Sequence, residues 1–202
     1  RVVGWITESS GPAPADPSWT WYRLSPLLFK TLDAAGTRAP LLLVATPETP
    51  DWSDDEPWPE GCTLFVPFQD PENVGAVIRS AAAFGVPRVV LLQEAAHPFH
   101  PRSSRAAGPA LFQTQIMNGP SVHSLVSHHH PLISLDASGD DVGASPFPTT
   151  FGLVVGLEGP GLPPQLRAGE RRRIAMAPGV ESLNAATSAA VALYVWSRRN
   201  DG

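Results

Sequence analysis

Asn73, Arg79, Glu158, Ser182 and Asn184 are the side chains whose types and spacing best suit chemistry, and each stands near Gly or Pro at the end of an apolar run. They fall in three segments, Asp70-Pro-Glu-Asn-Val-Gly-Ala-Val-Ile-Arg79, Gly156-Leu-Glu-Gly-Pro-Gly161 and Ile174-Ala-Met-Ala-Pro-Gly-Val-Glu-Ser-Leu-Asn184. Glycine lets a backbone approach a ligand closely. Open α/β sheets bind ligands at strand ends. Three such segments in one small domain suggest one composite pocket.

Each segment has a plainer reading beside the functional one. In the first, Asn73 opens a helix whose free N–H groups suit an anion. Arg79 follows among Val77, Ile78 and Ala81–Ala83, and an arginine in such apolar company needs a partner or an anionic ligand. The two lie on nearly opposite faces of an ideal helix, but if Asn73 sits before the first turn both can still reach one site. The plainer reading is a helix cap and a surface arginine. In the second, Glu158 follows a buried apolar strand. No Gly-Lys-Ser/Thr follows, which excludes a Walker loop, and the dinucleotide fingerprint spacing is absent; a structural turn is the alternative. In the third, Ser182 caps the closing helix. Asn184, just inside it, is a poor helix former, which hints at a ligand or a cross-segment hydrogen bond.

The elements needed to hold these segments are legible as alternation. Strands are expected at Leu41–Ala45, Thr63–Phe68, Arg88–Leu92, Leu132–Leu135, Phe151–Val155 and Arg172–Met176. Helices are expected at Leu24–Ala35 (Ser25 as cap, Gly36 as stop), Asn73–Phe84, Ser103–Phe112 with a serine cap, Ser121–His129 and Leu183–Arg199. Such alternation predicts an α/β fold with a mainly parallel sheet and helices on both faces. Pro47–Gly61, with four prolines, six acids and two tryptophans, reads as a linker or solvated loop. A boundary near residue 60 follows, with residues 1–60 as a small N-terminal extension and 61–202 as the main domain.

Composition narrows the class. The net charge of −5 argues at first against nucleic acid, but residues 1–72 carry −7 and residues 73–202 carry +2. Thirteen of the fourteen bases are arginine, including Arg171, Arg172 and Arg173; the bias suits phosphate contacts but is more simply compositional. Cys62, the single cysteine, excludes an internal disulfide and a cysteine-rich metal site. Consecutive His128, His129 and His130 cannot share a helix face and read as a polar helix end. With no signal-peptide pattern and no membrane-length apolar run, a cytoplasmic location is expected.

Taken together, the three segments resemble the SpoU (TrmH-like) family of the SPOUT superfamily of RNA methyltransferases. Asn73, Gly75 and Arg79 match its first motif, Gly156, Glu158, Gly159 and Gly161 its second, and Ile174, Met176 and Ser182-Leu183-Asn184 its third. Arg105-Ala-Ala-Gly108 resembles the intervening stretch, so the likeness covers about residues 61–202. The resemblance implies a C-terminal trefoil knot, a homodimer and S-adenosylmethionine held by Gly156, Ile174, Met176 and Leu183. It also implies methyl transfer to a ribose 2′-oxygen of tRNA or rRNA, with Arg79, Asn73, Glu158, Ser182 and Asn184 in the catalytic cluster. The methyl donor is a sulfonium, so no metal is required. Two departures stand out: Ala175 replaces the family's proline, and residues 1–60 do not clearly match its usual RNA-binding extension. A non-catalytic RNA-binding relative of the same fold is the rival reading.

Overall fold

A computed structural model describes residues 1–33, 36–156, 162–180 and 182–200, and the chain divides into two units, Arg1–Glu48 and Thr49–Gly202. The first holds β1 (Val2–Glu8), β2 (Thr20–Leu24), α1 (Pro26–Leu32) and β3 (Leu41–Val44). β1 pairs in parallel with β2 and antiparallel with β3. α1 starts as expected, with Ser25 Oγ accepting from the Leu28 N–H and Pro26 in the first turn.

The second unit holds β4 (Gly61–Val66), α2 (Pro71–Ala83), β5 (Arg88–Leu91), α3 (Pro101–Ala107), a 3-10 segment (Gly108–Phe112) and β6 (Gln115–Asn118). Then come β7 (Leu132–Asp141), β8 (Thr150–Val154), α4 (Pro164–Arg167), β9 (Glu170–Arg173) and α5 (Ala185–Asn200). Its sheet runs β6-β5-β4-β8-β7-β9, and every pairing in it is parallel. β4, β5 and most of β8 are buried on both faces, which explains their unbroken apolar runs.

Alternate residues divide between two cores. Cys62, Leu64 and Val66, with Phe151 and Leu153, face α2 and α5. Phe65, Val90 and Val154 face the opposite side. Helices therefore cover the two faces unequally. The second face is closed by α4 and by two irregular segments, which supply Trp52, Trp58, Val122 and Leu125.

Several expectations are corrected here. Residues 49–60 are neither a free linker nor part of the first unit. Trp52 and Trp58 pack on Phe65 with ring centroids 5.2 and 5.7 Å away, and the Trp52 N–H donates to the Asn118 carbonyl at 2.7 Å. The division accordingly falls at residues 48 and 49. No helix forms over 121–129. Glu94 accepts from the Ser121 hydroxyl and the Val122 N–H, and Asp54 accepts from Ser127 Oγ and the His128 N–H at 2.9 and 2.7 Å. Those carboxylates take donors that a helix would have used. α3 is capped by His100, whose Nδ1 accepts from the Arg102 N–H at 3.2 Å, and not by a serine.

Candidate active site

A parallel sheet places all its strand C-termini on one edge, and the three motif segments leave from that edge. Asp70 and α2 follow β4, Gly156 follows β8, and Ile174 follows β9. Neighbouring connections are tied together: the Leu92 N–H donates to the Val66 carbonyl at 2.9 Å and the Ala96 N–H to the Phe68 carbonyl at 2.8 Å.

α2 starts earlier than expected. Asp70 is its N-cap, accepting from the Glu72 N–H at 3.0 Å, and Pro71 occupies the first turn. Asn73 thus lies inside the helix. Arg79 stands about 9 Å further along the axis and on a different face. It is exposed, and among the described residues its guanidinium makes no hydrogen bond or ion pair. The proposed partnering within an apolar helix is therefore not seen: Arg79 projects into solvent, while Val74, Val77, Ile78 and Ala81 supply the buried face. Gly75 serves packing. A Cβ there would stand 2.2 Å from the Ser103 carbonyl oxygen and 2.7 Å from Ala106 Cβ, so α2 and α3 meet where no side chain fits.

Asn184 joins the first and third segments. Its Nδ2 donates to Asn73 Oδ1 at 3.0 Å, while its Oδ1 accepts from the Thr187 N–H at 3.2 Å and its carbonyl from the Ser188 N–H at 2.9 Å. Asn184 is therefore the cap of α5 and not its first interior residue. That duty, assigned by sequence to Ser182, leaves Ser182 exposed ahead of the helix. The cap bond fixes which end of the Asn184 amide faces Asn73.

The remaining candidates line the same edge. Among the described residues, a Cβ at Gly156 would meet only Leu162 Cγ at 3.7 Å and the Leu135 carbonyl at 4.0 Å. Ile174 and Met176 lie past the end of β9, not in it, with Ile174 packed on the core and Met176 exposed. Met176, Val180 and Leu183 are exposed apolar side chains in one short loop. Apolar side chains beside backbone polar groups at a sheet edge fit a flat, polar-rimmed ring such as adenine. Glu158, Gly159 and Gly161 lie outside the described residues.

Two electrostatic features escaped the sequence reading. Asp136 follows Leu135, whose carbonyl borders Gly156. Its carboxylate is held below the usual range first by the Ser138 hydroxyl, then by the Ser138 N–H, with Arg171 and Arg167 nearby. The pattern Asp-Ala-Ser was its only signal. The arginine triplet in β9 is not one patch. Arg172 is 3% exposed and its guanidinium lies 4.2 Å from the Phe147 ring centroid. It donates to the Ser145 and Pro146 carbonyls at 2.8 and 3.0 Å and to Glu170 at 2.8 Å. Strand alternation sends its neighbours the other way, and Arg171 donates to Ser138 Oγ at 2.6 Å.

Among the described residues no cluster of His, Cys, Asp and Glu could hold a metal ion, and no helix is long and apolar enough to cross a membrane.

Known proteins are similar to this chain in fold and sequence. The SpoU methyltransferase AviRb from Streptomyces viridochromogenes, crystallised in complex with the cofactor AdoMet, is similar with a TM-score of 0.80 at 25% identity, over 100% of this chain and 84% of that one. Ribosomal RNA small subunit methyltransferase G 2 from Syntrophobacter fumaroxidans is 50% identical over 199 residues, 97% of this chain and 40% of the relative. The 23S rRNA (guanosine-2'-O-)-methyltransferase RlmB from Acinetobacter baylyi is 27% identical over 142 residues, 66% of this chain and 57% of the relative. The chain thus spans about half the length of these two curated relatives. Residues 63–194 match the SpoU rRNA Methylase family, a range that contains all three motif segments. With those segments leaving one sheet edge and two of them bonded through Asn73 and Asn184, the chain belongs to the SpoU rRNA methylase family.

Proposed function

We propose that this chain transfers a methyl group from S-adenosylmethionine to a ribose 2′-hydroxyl of tRNA or rRNA. The observation that carries the reading is the Asn184–Asn73 hydrogen bond, which draws the cofactor-loop segment onto the helix that bears Arg79. The 2′-oxygen target is supported by the likeness to the Acinetobacter relative, whose name states that position. Gly156 and the backbone at Ile174 and Leu183 would hold the adenine and ribose of the cofactor, with Met176 against its apolar surface. When bound, the cofactor supplies an electrophilic methyl group on a sulfonium.

The chain's own residues have distinct tasks in this scheme. A ribose hydroxyl is a weak nucleophile and must lose its proton during attack. A guanidinium is always protonated, so Arg79 does not accept that proton. Exposed and without an internal partner among the described residues, it anchors the phosphate beside the target ribose and stabilises developing negative charge. Asn73 and Asn184 orient the ribose by hydrogen bonds, and Ser182 and Glu158 complete the polar cluster. Further parts of this reading are a trefoil knot formed by the C-terminal segments, a homodimer, a cytoplasmic location, and RNA selection by the N-terminal extension.

The test is methylation of total tRNA and rRNA with a radiolabelled donor, followed by mapping of the modified ribose. Arg79→Ala is expected to abolish transfer while sparing donor binding by calorimetry. Near wild-type turnover in that variant would refute the role given to Arg79. RNA binding without methyl incorporation by the unaltered chain would favour the non-catalytic relative.

A further inference from the structure

The stretch from the end of β5 to the end of the 3-10 segment displays side chains that the candidate site does not use, and of its rings only half-buried Phe99 also packs on the core. Phe112 closes that segment with 67% of its surface exposed. Its ring centroid lies 6.3 Å from that of half-buried Phe99, tilted by 37°, and Phe99 lies 5.8 Å from the exposed ring of His97. Between these rings in sequence, Arg102 and Arg105 are exposed on α3. They are one turn apart and so share a face. Among the described residues neither guanidinium makes a hydrogen bond or ion pair.

The backbone beneath is firmly held. The Phe99 N–H donates to His97 Nδ1 at 3.2 Å, and the His100 N–H to the His97 carbonyl at 3.0 Å. The Ala96 N–H ties this connection to Phe68, just ahead of α2. Below α3, Ala107 and Leu111 share the core with Val74, Val77 and Ile78 of α2. The rings and arginines therefore stand on a rigid mount that abuts α2 at Gly75, two residues from Asn73.

We propose that Phe112, Phe99 and His97 form a stacking platform for an unpaired base of the RNA substrate, with Arg102 and Arg105 holding the adjoining phosphates. This rests on the RNA methyltransferase reading above. Every base presents a π-face, so an aromatic row takes unpaired nucleotides regardless of sequence. Arginine suits the phosphates through paired N–H donors. Charge favours this occupant. Residues 71–112 contain four arginines and two acids; Arg88 is buried and Glu94 is bound to Ser121 and Val122, which leaves Arg79, Arg102 and Arg105 as exposed bases of this stretch against Glu72 as its one exposed acid. A second copy of the chain, meeting this patch about a two-fold axis, would set its own arginines against these.

The experiment measures binding of the full chain to oligo-uridine and to an RNA duplex over a range of salt concentrations. Phe112→Ala is expected to weaken oligo-uridine binding by about 5- to 100-fold at unchanged salt dependence, with Phe112→Trp restoring it. Duplex binding is expected to be unchanged. The Arg102→Gln/Arg105→Gln double variant is expected to flatten the slope of log affinity against log salt by about 1.4. Donor binding, read by calorimetry, is expected to be unaffected in every variant and shows that each is folded. Unchanged oligo-uridine affinity in Phe112→Ala, in a chain that still methylates RNA, would overturn the platform alone. A shift in oligomeric state with unchanged RNA affinity would assign the patch to a second copy and also overturn it. A wild-type chain that neither binds nor methylates RNA would overturn the proposed function instead.

Discussion

Replacing Gly75 by alanine tests whether the glycine of the first motif serves packing or the site. The new Cβ would lie 2.2 Å from the Ser103 oxygen, 2.7 Å from Ala106 Cβ and 3.0 Å from the Ala107 nitrogen. Unstrained contacts settle near about 3.5–4.0 Å, so α3 must withdraw by about 1 Å. Two of the three atoms are backbone, and no rotamer relieves them. Overpacking costs about 1–3 kcal/mol, and the backbone partners put this case at about 2–3 kcal/mol, while alanine gains about 1 kcal/mol in helix propensity. The expected net loss is about 1–2 kcal/mol, or about 2–8 °C in a chain of this size. A chain of two units can melt in two steps, so the midpoint should be paired with hydrogen exchange at α2 and α3 amides. Gly156→Ala is the companion: among the described residues its Cβ meets nothing closer than 3.7 Å, so stability should hold while donor affinity falls. A Gly75→Ala chain that melts at or above the wild-type midpoint would refute the packing argument.

Asn184→Ala is expected to lose about 1 kcal/mol from the α5 cap, and a double-mutant cycle with Asn73→Ala should give a further coupling of about 0.5–1.5 kcal/mol, read by urea denaturation. Arg172→Ala should destabilise by about 2–3 kcal/mol, since it leaves the Ser145 and Pro146 carbonyls without their donor and uncovers Phe147; Arg171→Ala, measured alongside, should cost far less. Burial pushes the Glu94 carboxyl up, but hydrogen bonds from the Ser121 hydroxyl and the Val122 N–H outweigh it and hold it below its ordinary value. Its stabilising effect is therefore complete above about pH 5 and lost as pH falls through the lowered value. Glu94→Gln should remove that part of the acid dependence in a pH series of denaturation midpoints.

Where local chemistry and tertiary packing agree, the sequence alone was sufficient. Ser25-Pro26 marked the start of α1, and the apolar runs of β4, β5 and β8 marked strands buried on both faces. The α/β fold followed from the alternation of strands and helices, and the family from the three motif segments taken as a set. What was hidden depends on partners distant in sequence. Val122, Leu125 and Val126 are spaced as on a helix face, but Glu94 and Asp54 hold the donors of this segment across gaps no local pattern reveals. Pro47–Gly61 looked solvated because its acids outnumber its two tryptophans, yet those tryptophans close one face of the sheet. β1 and β2 are absent from the sequence expectation because each is short and their parallel pairing, Gly4 with Thr20 onward, joins residues distant in the chain. Asn184 was recognised as an odd choice, but its capping role needed the register of α5.

The sheet order has a consequence for the birth of the protein. β4 lies between β5, its near neighbour in sequence, and β8, which follows only after β5, β6 and β7. As the chain leaves the ribosome, β4, β5 and β6 can assemble at once, but the other edge of β4 stays unpaired until Thr150–Val154 emerge. β4 is buried along its whole length in the finished fold, and an open strand edge of this kind invites pairing with other chains. Nascent chains halted between residues 118 and 150 should therefore be the species most dependent on chaperones, and release of β8 the step that ends that dependence.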